Sequence, residues 1–153
     1  MLVPCSAAAE LALREASKQE IIKYIPGDSS FEILKPDKLS QGQKHGLEMV
    51  KKEIMEKYGS TGVQDVLNKA VFRLLKYIAV FPGGVGKLQD SEGRYIPDCF
   101  LMPPGTTALD FAYRLHTDFG KNFIKAINVK TRMPVGKDHK LEHCDVIEIM
   151  SKK

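Results

Sequence analysis

The stretch from Pro103 to Gly120 constrains the fold most, because it holds the start, the apolar face and the end of one helix. Thr107 at the N-cap and Asp110 three residues later form a capping box, and the Asp110 carboxylate also suits the positive helix end. Gly120 predicts that the helix ends there, with the glycine in the left-handed backbone conformation. The stripe at helical spacing comprises Ala108, Phe111, Ala112, Leu115 and Phe119. Because so short a helix is marginal in water, it needs an apolar surface to pack against.

Short runs of β-type residues on both sides of this helix can supply that surface. Strands are predicted at residues 77–81, 98–102, 124–130 and 145–150, and the turn at 131–136 can hold a further short strand. The order is two strands, one helix and two strands. This order predicts a mixed sheet with one helix across its face, which is the β-grasp or ubiquitin-like arrangement.

The first half of the chain has the patterns of helices instead. Ser6 is a predicted N-cap for a helix that runs to about Lys18. A second helix begins at Ser40 with Gln43 in capping-box position and ends at Gly59. Its expected buried stripe comprises Leu47, Val50, Ile54 and Tyr58.

A third helix is predicted directly after the second, with Thr61 and Gln64 as its capping box. Its apolar stripe is wider, so we expect the second and third helices to form an antiparallel hairpin that packs on another body. The expected fold class is α+β. A helical segment at residues 1–75 precedes a β-grasp domain at residues 76–153.

The composition is that of an ordinary globular protein, with 43% hydrophobic and 27% charged residues in a chain of 153. No apolar run approaches the roughly 20 residues of a membrane span, so no membrane partner is expected. The chain start lacks the basic flank of a secretory signal, and three cysteines are a sparse, odd set. We expect a cytoplasmic location.

Basic side chains concentrate between residues 121 and 140, where Asp138 is the only acidic residue. The basic residues are Lys121, Lys125, Lys130, Arg132, Lys137 and Lys140. Two interpretations remain open: a solvated surface that favours solubility, or a contact with RNA or the ribosome.

Neither a catalytic group nor a metal site is predicted. The segment Gly83–Lys87 resembles a phosphate-binding loop, but Phe81 and Leu88 stand where that loop needs a glycine and a hydroxyl. No nucleophile, base and orienting group occur together. The candidate metal ligands match no usual spacing and are Cys99, His139, His143 and Cys144.

The second half resembles the TGS domain, a β-grasp module of some synthetases, stringent-response enzymes and Obg-class GTPases. The matching segments are Thr107-Ala-Leu-Asp-Phe-Ala-Tyr-Arg-Leu-His-Thr-Asp-Phe-Gly120, Ala126-Ile-Asn-Val and Asp145-Val-Ile-Glu-Ile. The first half, through Val3-Pro-Cys-Ser-Ala-Ala-Ala-Glu-Leu and Gly59-Ser-Thr-Gly-Val-Gln, is similar to archaeal Obg/YchF-type GTP-binding proteins just before their TGS domain.

This resemblance implies roles for Ser6 and Ala7, which match the guanine-contacting motif in which the alanine N–H meets the guanine oxygen. It also implies that the chain begins inside the last strand of a G domain. The phosphate-binding loop, switch segments, metal-binding aspartate and Asn-Lys-x-Asp motif are absent from this chain. We therefore expect no enzyme activity and no cofactor here, with GTP and magnesium belonging to a longer protein.

The function implied is a non-catalytic regulatory or binding region of a TGS-containing GTPase, with the missing G domain as one partner and RNA or the ribosome as another. The basic residues between 121 and 140 would make the RNA contact. The alternative is a protein-interaction module that uses the β-grasp sheet and binds no nucleic acid.

Overall fold

A computed structural model of the chain describes residues 2–84 and 98–152. It divides into two compact units, Met1–Ala70 and Val71–Lys153. The boundary predicted between residues 75 and 76 stays a prediction. Each unit has its own apolar core.

The first unit is mainly helical. Helix α1 (Ala7–Lys18) is capped by Ser6, whose Oγ accepts the Ala9 N–H at 3.3 Å. Strands β1 (Ile22–Lys23) and β2 (Glu32–Ile33) then form a small antiparallel hairpin. The core comprises Leu13, Ile21, Ile22, Tyr24, Leu39, Leu47 and Met55.

The second predicted helix is present but is not α-helical throughout. It consists of α2 (Gln41–Met49), a π-helical segment (Val50–Met55) and α3 (Glu56–Tyr58). A π-helix bonds residue i to residue i+5, so each turn takes in more residues and the later side chains rotate about the axis. Met55 is therefore buried at 2% exposure, whereas Tyr58, a predicted core residue, is 63% exposed.

The third predicted helix is also present, as α4 (Val63–Asn68) and a π-helical segment (Lys69–Leu74), but its predicted cap is wrong. Gly62 is the N-cap, at φ 78°, and no side chain caps the helix. The Thr61 side chain lies in the interior at 1% exposure. No residue of α4 or of this π segment is buried, and its packing as a hairpin on another body stays a prediction.

The second unit contains a five-stranded mixed sheet. Its elements are β3 (Ile78–Pro82), β4 (Phe100–Met102), α5 (Ala108–Leu115), α6 (Thr117–Lys121), β5 (Phe123–Asn128), β6 (Met133–Val135) and β7 (Asp145–Ser151). The strand order is β4-β3-β7-β5-β6, with β3 and β7 parallel and the other pairs antiparallel. The predicted β-grasp arrangement and the α+β class are confirmed.

Helix α5 packs on this sheet through most of its predicted stripe, but Phe119, the last residue of that stripe, is 43% exposed and lies beyond the end of α5. Ala108, Phe111 and Ala112 have no exposed surface, and the Phe111 ring lies 5.7 Å from that of Phe100, edge to face. The capping box is present in both directions. Thr107 Oγ1 accepts the Asp110 N–H at 3.2 Å, and Asp110 Oδ2 accepts the Thr107 N–H at 2.9 Å.

The predicted end of this helix is wrong. The α-helix stops at Leu115, since His116 is extended (φ −163°, ψ 141°) and begins α6, where its Nδ1 accepts the Asp118 N–H at 3.2 Å. Gly120 lies inside α6 with an ordinary φ and is buried. A Cβ there would lie 2.3 Å from the Tyr113 ring, so close packing explains this glycine.

We predict that stability of the second unit falls at acid pH through Asp110. Hydrogen bonds from Thr107 hold the pKa of this carboxyl below its ordinary value near 4. Its contribution is therefore complete above about pH 4 and is lost as pH falls through the lowered pKa. Urea unfolding monitored by circular dichroism from pH 6 to pH 2 should show the difference between wild type and Asp110→Asn shrinking. A constant difference would contradict this account.

A second prediction concerns Gly62, where a Cβ would lie 2.0 Å from the Pro4 carbonyl oxygen. Gly62→Ala combines this clash with a left-handed backbone and should cost about 3 kcal/mol or more. Gly59→Ala is the matched control, because Gly59 also has a positive φ of 81° but open space around its Cβ position. It should cost only about 1–2 kcal/mol. Equal losses in urea unfolding would show that the contact with Pro4 is unimportant.

Candidate functional site

Three segments of the first unit meet around the start of α1. The Ser6 N–H donates to the Thr61 carbonyl oxygen at 2.8 Å, which joins the residues before α1 to the turn before α4. At Gly62 the backbone of the same turn packs directly against Pro4. The third segment reaches the junction at Gly27. This glycine lies against Gln64, since a Cβ added to it would be 3.2 Å from the Gln64 side chain.

A buried carboxylate lies at this junction. Glu10 is 5% exposed, and its Oε2 accepts hydrogen bonds from Thr61 Oγ1 at 2.6 Å and from the Tyr24 hydroxyl at 2.8 Å. The Tyr24 oxygen in turn accepts the Gly27 N–H at 3.4 Å. Burial, and then the hydrogen bond to Glu10, raise the pKa of Tyr24 above its ordinary value. We call Glu10, Tyr24 and Thr61 the Glu10 network.

None of the residues in this network is among those predicted from the sequence to form a site. Glu10 falls on the same face of α1 as Ala9 and Leu13, which are buried at 4% and 0% exposure, so its helical position is the available signal. An acidic residue in a first turn is ordinarily explained by the helix dipole alone. The spacing of Thr61 to Gln64 fits a helix cap, so the sequence pattern gives no sign that the Thr61 side chain is buried and bonds Glu10.

The network adjoins Ser6, the first of the two predicted guanine-contacting residues. Ser6 is fixed at three atoms: its N–H bonds Thr61, its Oγ accepts from Ala9, and its carbonyl oxygen accepts the Glu10 N–H at 3.1 Å. Within the described residues, the Ala7 N–H donates to no protein acceptor, as expected for a first-turn amide. It is therefore available to an external acceptor.

Two concave surfaces adjoin Ser6. A cavity of about 250 Å³ is lined by Pro4, Cys5, Ser6, Ile54, Tyr58, Ser60 and Thr61. A larger apolar groove of about 520 Å³ runs between α1 and α2, and its lining includes Ala8, Ala12, Ala16, Leu47 and Val50. The first unit thus presents a polar turn beside an apolar groove.

All six basic side chains predicted to bind RNA are exposed, and within the described residues none pairs with a carboxylate. Lys125 lies on β5, and Lys130 and Arg132 lie in the β5–β6 turn. The backbone of Lys137 and Lys140 adjoins the start of α5, and Lys121 ends α6. Lys125, Lys130 and Arg132 therefore form the basic part of the β5–β6 side of the second unit, while the other three adjoin helices α5 and α6.

Two of the candidate metal ligands, His143 and Cys144, make hydrogen bonds to the backbone of β3. His143 Nδ1 accepts the Ala79 N–H at 3.1 Å, and its ring meets Phe72 edge to face at 4.9 Å. Cys144 has a positive φ of 65° and donates its N–H to the Ala79 carbonyl oxygen at 2.7 Å. Burial raises the pKa of the Cys99 thiol. The described residues contain no group of three potential metal-ligating side chains.

The glycine-rich segment Gly83–Lys87, considered above as a phosphate-binding loop, lies mostly outside the described residues, which include only Gly83 and Gly84 of it. Among the helices within the described ranges, none is long and apolar enough to cross a membrane.

Comparison with known proteins finds two family models along the chain. The model described as Obg-like GTPase YGR210-like, G4 motif-containing domain, matches residues 1–84, and the TGS domain model matches residues 86–151. An uncharacterized GTP-binding protein of Methanocaldococcus jannaschii is 42% identical over 152 residues, covering 99% of this chain and 38% of its own length. One from Schizosaccharomyces pombe is 36% identical over 115 residues, covering 70% of this chain and 28% of its own length.

A solved structure agrees with these matches. The crystal structure of a GTP binding protein from Pyrococcus horikoshii OT3 superposes with a TM-score of 0.68 at 39% sequence identity, covering 99% of this chain and 38% of the other. The chain thus spans well under half the length of these relatives. The two family models together span nearly all of it, and on this evidence the chain belongs to the Obg-like, YGR210-like family of TGS-containing GTP-binding proteins.

Proposed function

We propose that this chain is a non-catalytic binding and regulatory region that works with a nucleotide-binding body of an Obg-like GTPase and contacts RNA or the ribosome. GTP and magnesium would be held by that body. The observation that carries the RNA part is the set of six exposed basic side chains, none paired with a carboxylate within the described residues.

The first unit would complete the guanine site of that body. The Ala7 N–H is free to meet a guanine oxygen, and the positive end of α1 favours such an acceptor. The apolar groove beside Ser6 supports docking of the nucleotide-binding body, because apolar surface of this kind is stabilised by being covered. Relatives named as GTP-binding proteins are more than twice as long as this chain, which leaves room for such a body.

The second unit would bind RNA through its β5–β6 side. Lysine and arginine contacts to phosphates release counterions, so the affinity should fall steeply with salt. Structured RNA is recognised largely through its shape and its phosphates, which suits a dispersed basic surface better than a deep pocket.

We predict that reversing Lys125, Lys130 and Arg132 to Glu weakens binding to a structured RNA hairpin and to ribosomal subunits by about tenfold or more. The matched control reverses Lys23, Lys51 and Lys52, which are also exposed but belong to the first unit. Fluorescence anisotropy across a salt series measures both affinity and slope. Undetectable or salt-independent binding of the wild-type chain would rule out the RNA role.

A separate prediction tests the absence of catalysis. The described residues bring together no nucleophile, base and orienting group, and the sequence lacks a phosphate-binding loop. The purified chain should therefore hydrolyse GTP and ATP no faster than buffer does, measured by phosphate release. Turnover that copurifies with the chain and disappears on point substitution would overturn the assignment.

The second candidate function, protein binding by the sheet, also has an observation in its favour. On the sheet face opposite α5, Leu101 and Met150 are 47% and 40% exposed, and Lys125 lies directly opposite Met150 in the β5–β7 ladder. Exposed apolar residues on a sheet suit a protein partner. Capture of the same protein partner, after nuclease treatment, by the wild type and by a variant that reverses Lys130 and Arg132 but keeps Lys125 would favour this function over RNA binding.

A further inference from the structure

We infer that Glu10, Thr61 and Tyr24 are positioning residues for guanine recognition, holding the Ser6–Ala7 turn in the orientation that reads the base. This inference rests on the proposed function, in which the Ala7 N–H meets the guanine oxygen. It goes further by assigning a role to side chains that touch no ligand.

The Glu10 network costs free energy that an apolar junction would not. A buried carboxylate needs every available donor, and an apolar replacement of similar shape is often as stable or more stable. Glu10 is satisfied by two hydroxyl donors on two different loops. Stability alone therefore does not account for a charged group here.

The network also fixes the relative orientation of the segments that it joins. Hydrogen bonds constrain angles as well as distances, whereas apolar contacts allow sliding. Thr61 is held through its side chain by Glu10 and through its carbonyl oxygen by Ser6, so one residue transmits the position of α1 to the turn before α4. Glu10 itself donates its N–H to the Ser6 carbonyl oxygen, which closes the ring of contacts.

This ring of contacts involves the residues on either side, along the chain, of the exposed Ala7, whose amide would read the base. The Ala7 N–H lies between Ser6 and the rest of the first turn of α1, both of which the network anchors. A hydrogen-bond donor reads a base only when its direction is held in advance, because misalignment weakens the bond steeply. Loss of the network should therefore lower the selectivity for guanine without unfolding the first unit.

The informative variant replaces the whole network by apolar groups: Glu10→Met, Tyr24→Phe and Thr61→Val together. Its melting temperature should stay close to wild type, because the Gly27 N–H, which loses the Tyr24 oxygen, belongs to an exposed residue and can bond water instead. Thr61→Val alone leaves the buried Glu10 carboxylate without one of its two hydroxyl donors and should lower the stability of the first unit. Thr61→Ser keeps the hydroxyl and serves as the rescue variant.

The first measurement uses the chain alone and does not involve nucleotide. Amide exchange by NMR should be faster at Ser6 and Ala9, whose N–H groups are hydrogen-bonded, in the triple variant than in wild type, with little change at the core of the second unit. Thr61→Ser should keep the wild-type rates. Unchanged exchange at Ser6 and Ala9 in the triple variant would overturn the inference whatever the fate of the proposed function.

The second measurement places residues 1–153 in the Pyrococcus horikoshii GTP binding protein, in place of the 38% that they match. Affinities for GDP and for the diphosphate of 2,6-diaminopurine riboside, which lacks the guanine oxygen, give a selectivity ratio. We expect the triple variant to narrow this ratio about tenfold, which corresponds to about 1.4 kcal/mol, while Thr61→Ser keeps it.

The outcomes separate the two ideas. A wild-type chimera without selectivity for GDP would refute the guanine role of Ser6 and Ala7, and with it the proposed function of the first unit. A selective wild type with an equally selective triple variant would refute the positioning role alone. A ratio that narrows in step with melting temperature across all variants would show a merely structural network.

Discussion

The burial of one carboxylate at the start of α1 is the constraint that orients the segments of the first unit around Ser6. Once Glu10 is excluded from water, hydroxyl donors must reach it, and they come from loops 14 and 51 residues further along the chain. The turn that carries Thr61 can reach Glu10 because Gly62 lies against Pro4 without a side chain.

The second unit could be predicted from the sequence because its signals are local. Thr107 and Asp110 lie within one turn, and alternation along each strand shows which face is covered. The first unit depends on contacts between residues far apart in the chain. No local pattern distinguishes a threonine that caps a helix from one, such as Thr61, that donates to a distant Glu10.

The errors within the second unit also have a physical cause. Glycine tolerates a left-handed backbone, which predicts a helix end at Gly120, yet this glycine is there because the Tyr113 ring leaves no room for a Cβ. His116 ends α5 by adopting an extended conformation, which nothing in its residue type requires. Lys125 on β5 and Lys130 and Arg132 in the following turn take their positions from the β-grasp order.

The π-helical segment Val50–Met55 has a consequence for how this family can change during evolution. It rotates the later residues about the helix axis, and those residues lead into the turn that reaches Glu10. Because a π-helical turn takes in about one residue more than an α-helical turn, deleting one residue would restore the α-helical period with little rotation of that loop. We therefore expect this segment to tolerate the loss of one residue better than α2 does, where a deletion would turn the following side chains by roughly 100°.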